Sequence, residues 1–329
     1  MKRLSRLWWI LVVGFIALYP PTLGGMSSYK CGILIFIGIY IILAVSLDLL
    51  MGYAGQISVG HAAFFAIGAY VSGIMTARYS IAPVTAMVSG MALSAGVAWG
   101  MGRPVLALKE YYLAMATLAL NEIVVTLIVG LHGLTGGASG LRDVPSFSIA
   151  GFTFASHVSY YYFVWALVIL VVICSLAVVK SSFGRTLLAI HSDETAAKTF
   201  GIDCARYKVR IYVLSAVFAS LAGSLFAHYM GFLAPEDFGV NTSINLLVML
   251  FLGGTGTIFG PALGAIFLKY LPELTYKFQD YEMLINGVIL IAVLVFMPRG
   301  IYGFFTSLKK RLFSREPGSH QEMNGTSGQ

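Results

Sequence analysis

Polar side chains that could do chemistry are few in this chain, and they stand in an unusual place. The stretch GYAGQISVGHAAFF at residues 52–65 sets Gln56, Ser58 and His61 among Gly52, Gly55 and Gly60, with apolar sequence on both sides from Cys31 to Ala77. An amide, a hydroxyl and an imidazole can offer weak hydrogen bonds to a passing solute, but covalent catalysis needs a nucleophile activated by an adjacent base. The six histidines, at 61, 132, 157, 191, 228 and 320, form neither an HExxH motif nor any clustered ligand set. Cys31, Cys174 and Cys204 have no metal-like spacing and imply no disulfide framework. No P-loop pattern occurs. Gly254-Thr-Gly256 mimics a fragment of a dinucleotide fingerprint, but apolar helical sequence flanks it where that motif needs a preceding strand. No cofactor or metal is expected.

The setting explains the scarcity. Of 329 residues 58% are hydrophobic and 11% charged, with mean hydropathy +0.84, whereas a soluble domain carries about 25% charged residues. Such a chain cannot cover its own surface in water, and it reads as an all-α polytopic integral membrane protein surrounded by lipid. A span needs roughly 17–25 apolar residues. Stretches of that kind lie near 8–23, 31–51, 59–77, 81–102, 111–130, 160–179, 209–231 and 282–298, and a further one at 241–272 is broken at its centre. The alternating strands of a β-barrel are absent. The net charge of +7 would suit nucleic acid, but the basic residues sit in short loops and termini, where they act as topology signals.

Lys2, Arg3 and Arg6 put the N-terminus in the cytoplasm by the positive-inside rule. The same segment resembles a signal peptide but lacks an A-x-A-like site, so it reads as a retained anchor. The 131–159 loop then falls outside and the basic 180–208 loop inside. A single crossing of 241–272 would leave 13 of the 21 Lys and Arg residues inside; a re-entrant hairpin or two spans there would leave 16. The expectation is a broken helix pair at 241–272 and a cytoplasmic C-terminus, within one transmembrane domain over 1–315 followed by a disordered cytoplasmic tail at 316–329.

Non-helical backbone at membrane depth is tolerated only where protein buries it or water reaches it. Interrupted spans in two halves of a chain point to a solute path. The candidate pathway residues are therefore Gly52, Gly55, Gln56, Ser58, Gly60, His61, Gly253, Gly254 and Gly256. A purely structural hinge is the competing reading, and for His61 a packing hydrogen bond. The small pairs Gly68/Ser72, Ala69/Gly73, Gly96/Gly100, Ala219/Gly223 and Gly223/Ala227 read as helix packing. Asp48 and Glu122 are intramembrane carboxylates and so candidates for function. Two lone acids make a poor proton relay, which points to a driving energy from outside the chain.

In the 180–208 loop, Asp193 is a good N-cap, Glu194 complements the helix dipole, Thr195 to Phe200 can be helical and Gly201 suits the C′ position. The result is a short helix, small on one side at Ala196 and Ala197 and flanked by Lys198, Arg206 and Lys208. It can dock into a partner's groove or lie on lipid headgroups.

Several long blocks in order carry a family resemblance: SLDLLMGYAGQISVGHAAFFAIGAY at 46–70, YYLAMATLALNEI at 111–123, TGGASGL at 135–141, the segment from Ser192 to Phe238, LGGTGTIFGPALGA at 252–265 and FMPRGIYG at 296–303. The chain resembles the permease subunits of bacterial branched-chain amino acid ABC importers, of the LivM type. That resemblance implies a non-enzymatic inner-membrane subunit with a second related permease, two ATP-binding subunits and an extracytoplasmic solute-binding protein as partners, and no nucleic acid. Glu194-Thr-Ala196-Ala197 with Gly201 is similar to the EAA loop through which such permeases engage their ATPases, which makes Asp193, Glu194, Ala196, Ala197 and Gly201 the coupling set. Asp48 departs from the family pattern, where an uncharged polar residue is more usual. Similar subunits serve urea or short amides as well as leucine, isoleucine and valine, and a stand-alone ion-coupled carrier is the reading from another class. The Thr135–Leu141 loop suits either contact with the binding protein or a tight turn.

Overall fold

The computed structural model describes residues 28–149, 151–275, 287–288, 291 and 300–303. The expected span at 8–23 and the tail at 316–329 lie outside the described residues, as does the expected span at 282–298 apart from residues 287–288 and 291. The elements are α1 (Ser28–Asp48, extended by a widened turn over Leu49–Tyr53), α2 (His61–Ala77), α3 (Pro83–Leu106), α4 (Glu110–Gly130), α5 (His132–Thr135), β1 (Ser148–Ile149), β2 (Phe152–Thr153), α6 (His157–Lys180), α7 (Ser182–Ser192), α8 (Glu194–Thr199), α9 (Cys204–Met230), α10 (Val240–Gly253) and α11 (Phe259–Thr275). Five of these helices are long and apolar enough to cross a membrane, while α2 and α10 are shorter apolar helices. The two-residue strands pair antiparallel in the 131–159 loop. They are the only strands among the described residues.

The helices alternate in direction between two ends of a bundle, a strand end carrying β1–β2 and a loop end carrying α7–α8. α1 starts at the strand end, where the Tyr29 hydroxyl donates to Glu273 (2.7 Å), and finishes beside His191 of α7. α2 returns to the strand end, where Arg78 donates to the Gly133 carbonyl. α9 ends there too, with Leu141 and Leu233 bridged across its exit.

The centre is a crossing of α2 with α9, wrapped by α1. In the central helices α1 and α9 most of the apolar window is buried, 83% and 78%, against 22–33% for α3, α4 and α6. Small residues set how close the axes come. A β-carbon at Gly68 would collide with the Ser220 backbone, and one at Gly223 with the Phe65 carbonyl oxygen. Beside this contact Phe65 meets Phe226 edge-on with ring centroids 5.3 Å apart, and Phe238 closes the cluster from the turn before α10. Gly68 and Gly223 therefore serve packing, as their spacing suggested. Gly96 and Gly100 do not: their faces on α3 open onto no neighbour within 4 Å.

The broken stretch is an antiparallel helical hairpin. α10 and α11 pack along each other so tightly that a β-carbon at Gly264 would collide with the Met249 carbonyl oxygen. The hairpin enters from the strand end, turns at residues 254–258 near the loop end and returns. Gly300 lies against the Gly254 backbone at the turn, so Glu273 and Gly300 stand at opposite ends of the bundle. Gly300 thus lies at the end that carries α7–α8.

Overpacking a core costs about 1–3 kcal/mol even where side chains can adjust, and more is expected where backbone blocks the way. Gly223→Leu should therefore abolish a monodisperse detergent extract in size-exclusion chromatography, while Gly96→Leu should elute like the parent. Equal behaviour of the two would contradict the crossing.

Candidate functional site: two glycine breaks and a loop helix

The end of α1 is shaped by its glycines. Gly55 sits at φ +66° with its N–H on the Met51 carbonyl (3.2 Å), the single bond of an αL stop, and the Gln56 N–H reaches back to the Leu50 carbonyl (3.1 Å). The widened turn just before it is a π-type turn, a form found often at functional positions. The chain then runs without helix to Gly60, whose backbone presses on the Thr117 carbonyl, while Val59 N–H donates to Thr117 Oγ1 (3.0 Å). Gln56 and Ser58 are buried, and the Gln56 amide donates to the Ala54 carbonyl (3.1 Å). His61 is 1% exposed, with Nε2 at 2.7 Å from Ser46 Oγ. Ser46 donates its own proton to the Leu43 carbonyl, so the imidazole is the donor in that pair. A packing hydrogen bond accounts for its position.

The hairpin turn is built by the same chemistry. Gly254 ends α10 with its N–H on the Leu250 carbonyl, and Thr257 Oγ1 accepts from the Gly260 N–H (3.2 Å) in the manner of an N-cap for α11. Gly256 has φ +72°.

The two breaks meet. The Gly256 N–H donates to Asp48 Oδ1 (2.8 Å) across 208 positions of sequence, and Asp48 itself is completely buried. A β-carbon at Gly52 would collide with both the Gly256 nitrogen and the Asp48 carboxylate. Gly52 and Gly256 thus meet at one carboxylate, and Gly300 lies against the Gly253–Gly254 backbone of the turn. Asp48 was an anomaly in the sequence; its role here is to satisfy a backbone donor freed by the hairpin turn. Its other oxygen, Oδ2, finds no hydrogen-bond partner among the described residues.

Next to this junction lies the loop helix. Asp193 caps α8 by accepting from the N–H groups of Thr195 (2.8 Å) and Ala196 (3.0 Å), and Gly201 follows at φ +78°. Ala197 is buried with Ile190 and Cys204, which holds α8 to α7 and α9. Glu194 Oε2 pairs with the buried Lys208 (2.6 Å) and Oε1 with Lys198 (3.0 Å). The alanines do not share a face as the sequence suggested: Ala197 points inward and Ala196 outward. The outward surface instead ends in Phe200, 85% exposed, which the sequence placed in the helix without marking its ring as an outward feature. A cavity of about 410 Å³ runs beside α8, lined by Arg103, Leu106, Lys109, Glu194, Lys198 and Lys208 among others. On α7, the ring of His191 sits directly against Gly55. Sequence reading also missed Lys269 in α11, whose Nζ lies 3.5 Å over the Tyr40 ring.

A family model described as the permease component of the branched-chain amino acid transport system matches residues 30–294. The chain belongs to that family. The LivM high-affinity branched-chain amino acid permease of Salmonella typhimurium is 32% identical over 286 residues, covering 80% of this chain and 67% of the relative. LivH, a high-affinity branched-chain amino acid transport system permease of Escherichia coli, is 23% identical, covering 80% of this chain and 91% of its own. An autoinducer 2 import permease, LsrC of Escherichia coli, is 26% identical, covering 74% and 71%. No solved structure matches. The molecule is a multi-pass membrane permease and not an enzyme.

Partial burial alone would push the Glu194 carboxyl above its ordinary pKa, but the hydrogen bonds and charges of Lys208 and Lys198 outweigh it, and the net shift is downward. A carboxylate depressed in the folded state stabilises above its unfolded pKa, and that stability is lost as pH falls through the folded value. Hydrogen-exchange protection of residues 193–203 is therefore expected to hold at neutral pH and fall only in acid, below the usual carboxylate range. Glu194→Lys should remove it at every pH by facing Lys198 and Lys208 with a like charge. Unchanged protection in that variant would contradict the clamp.

Proposed function

We propose that this permease forms one half of the solute path of an ATP-driven importer for branched-chain amino acids. It works with a second related permease, two ATP-binding subunits that grip α8, and an extracytoplasmic solute-binding protein. The loop end, with both chain termini, faces the cytoplasm. The observation that carries this reading is the contact series that leads from the loop helix to the junction. α8, with Phe200 projecting, is seated on α7 and α9. His191 of α7 abuts the glycine stop of α1, and that stop is joined through Gly52 and Asp48 to the hairpin turn. In this reading the junction is the closed cytoplasmic gate. Movement of α8 driven by nucleotide binding passes through His191 into the one piece of α1 that is not locked in a helix. The pathway residues of the two breaks act as the moving gate, and the basic groove beside α8 completes the docking surface.

Substrate identity rests on the likeness to the LivM and LivH permeases; the likeness to an autoinducer 2 import permease indicates that the same scaffold serves other solutes, with urea and short amides among the alternatives.

Vesicles carrying the permeases, the ATP-binding subunits and the binding protein are expected to accumulate radiolabelled leucine only with ATP, and vesicles carrying this chain alone to accumulate none. Accumulation by the chain alone would point to an ion-coupled carrier instead. Phe200→Ala or Gly201→Leu should lower ATP-driven uptake by about tenfold or more, the loss typical of an interface hot spot, with the protein still inserted. Asp48→Asn, which keeps an acceptor for the Gly256 N–H, should retain more uptake than Asp48→Ala. Equal activity of those two variants would remove the junction from the mechanism.

A further inference from the structure

Glu122 lies near the middle of the α4 span Tyr111–Gly130, about 12 Å from its nearer end at about 1.5 Å per residue. It is exposed on the surface of the subunit, while Leu113, Thr117, Leu120 and Ile128 on the opposite side of α4 are buried. None of the ion pairs among the described residues involves it. Hydrocarbon does not tolerate a bare carboxylate at that depth, and such groups face a bundle interior or a water-filled cavity. Its neighbours on the helix surface agree. Tyr112, Met115, Ala119, Glu122 and Thr126 recur at three- and four-residue spacing and are all exposed. Ile123 and Leu127 form a separate apolar flank, 53% and 56% exposed, that suits lipid or another subunit.

We propose that this stripe of α4 lines the solute path where a second permease covers it, and that Glu122 receives the ammonium group of a zwitterionic amino acid at mid-depth. The assignment of the ligand rests on the amino acid import reading above. The assignment of the path rests on the carboxylate alone. An anionic or neutral solute would gain nothing from Glu122, whereas an ammonium group exchanges hydration for a charge-assisted hydrogen bond. A single such contact in an otherwise weakly polar path binds without trapping.

The assembled importer, with Cys31, Cys174 and Cys204 replaced, tests the two assignments separately. Glu122→Cys is expected to react with a membrane-impermeant methanethiosulfonate, and Ile123→Cys on the apolar flank is not. Absence of reaction at 122 would overturn the path assignment, whatever the transported solute proves to be. Glu122→Gln should raise the KM for leucine by about tenfold, the loss expected for one hydrogen bond to a charged group, with the amount of inserted complex unchanged and Glu122→Asp restoring most of it. An unchanged KM in a labelled, active complex would overturn the ammonium assignment. Should the wild-type complex fail to import leucine with ATP, the import reading fails, and the thiol reaction still decides whether α4 lines a path.

Discussion

A backbone donor left free inside a membrane protein must find an acceptor, and the architecture of this permease turns on how one such donor is satisfied. The helical hairpin of α10 and α11 cannot turn without releasing N–H groups near the loop end, where an unsatisfied group costs several kcal/mol. Asp48 supplies the acceptor for Gly256. For that contact to form, α1 must carry no side chain at Gly52, and the hairpin must offer bare backbone at 254–256. The glycines at 52–60 and 253–260 are thus two halves of one joint, and the carboxylate that looked out of place in α1 is what joins them.

The proposed driver of the joint is the loop pair α7 and α8. α7 and α8 are tied to the body of the molecule by Ala197, Ile190 and Cys204 and by the Glu194–Lys208 pair. Their outward side ends in the exposed ring of Phe200. In the proposed coupling, a partner that pulls on α8 acts through His191, which rests on Gly55. The central crossing of α2 with α9 offers no comparable freedom, because backbone meets backbone at Gly68 and Gly223.

Local chemistry made much of this readable in advance. The boundaries of α8 followed from Asp193 as cap and Gly201 as stop, since both act within one turn. The hairpin followed from its central glycines together with the distribution of basic residues. Other features were not local. Nothing in the spacing of Gly52 and Gly256 says that they touch, because 208 positions separate the donor from its acceptor. Periodicity also cannot say which side of a helix finds a neighbour. Ala197 is buried while Ala196 is open, and Gly96 and Gly100 face outward although their pattern matches that of the packed Gly68. For His61 the sequence left a solute contact and a packing hydrogen bond both open, and only the fold brings Ser46 to its ring.

The most direct test follows movement at the joint. Spin labels at Thr255 on the hairpin turn and Ser192 at the end of α7, both exposed, report the separation of gate and driver by pulsed electron resonance in the assembled, cysteine-replaced importer. If the loop helix drives the junction, the distance distribution must shift when nucleotide is trapped on the ATP-binding subunits and return when it is released. A distribution that stays the same through a complete, solute-accumulating cycle would contradict it.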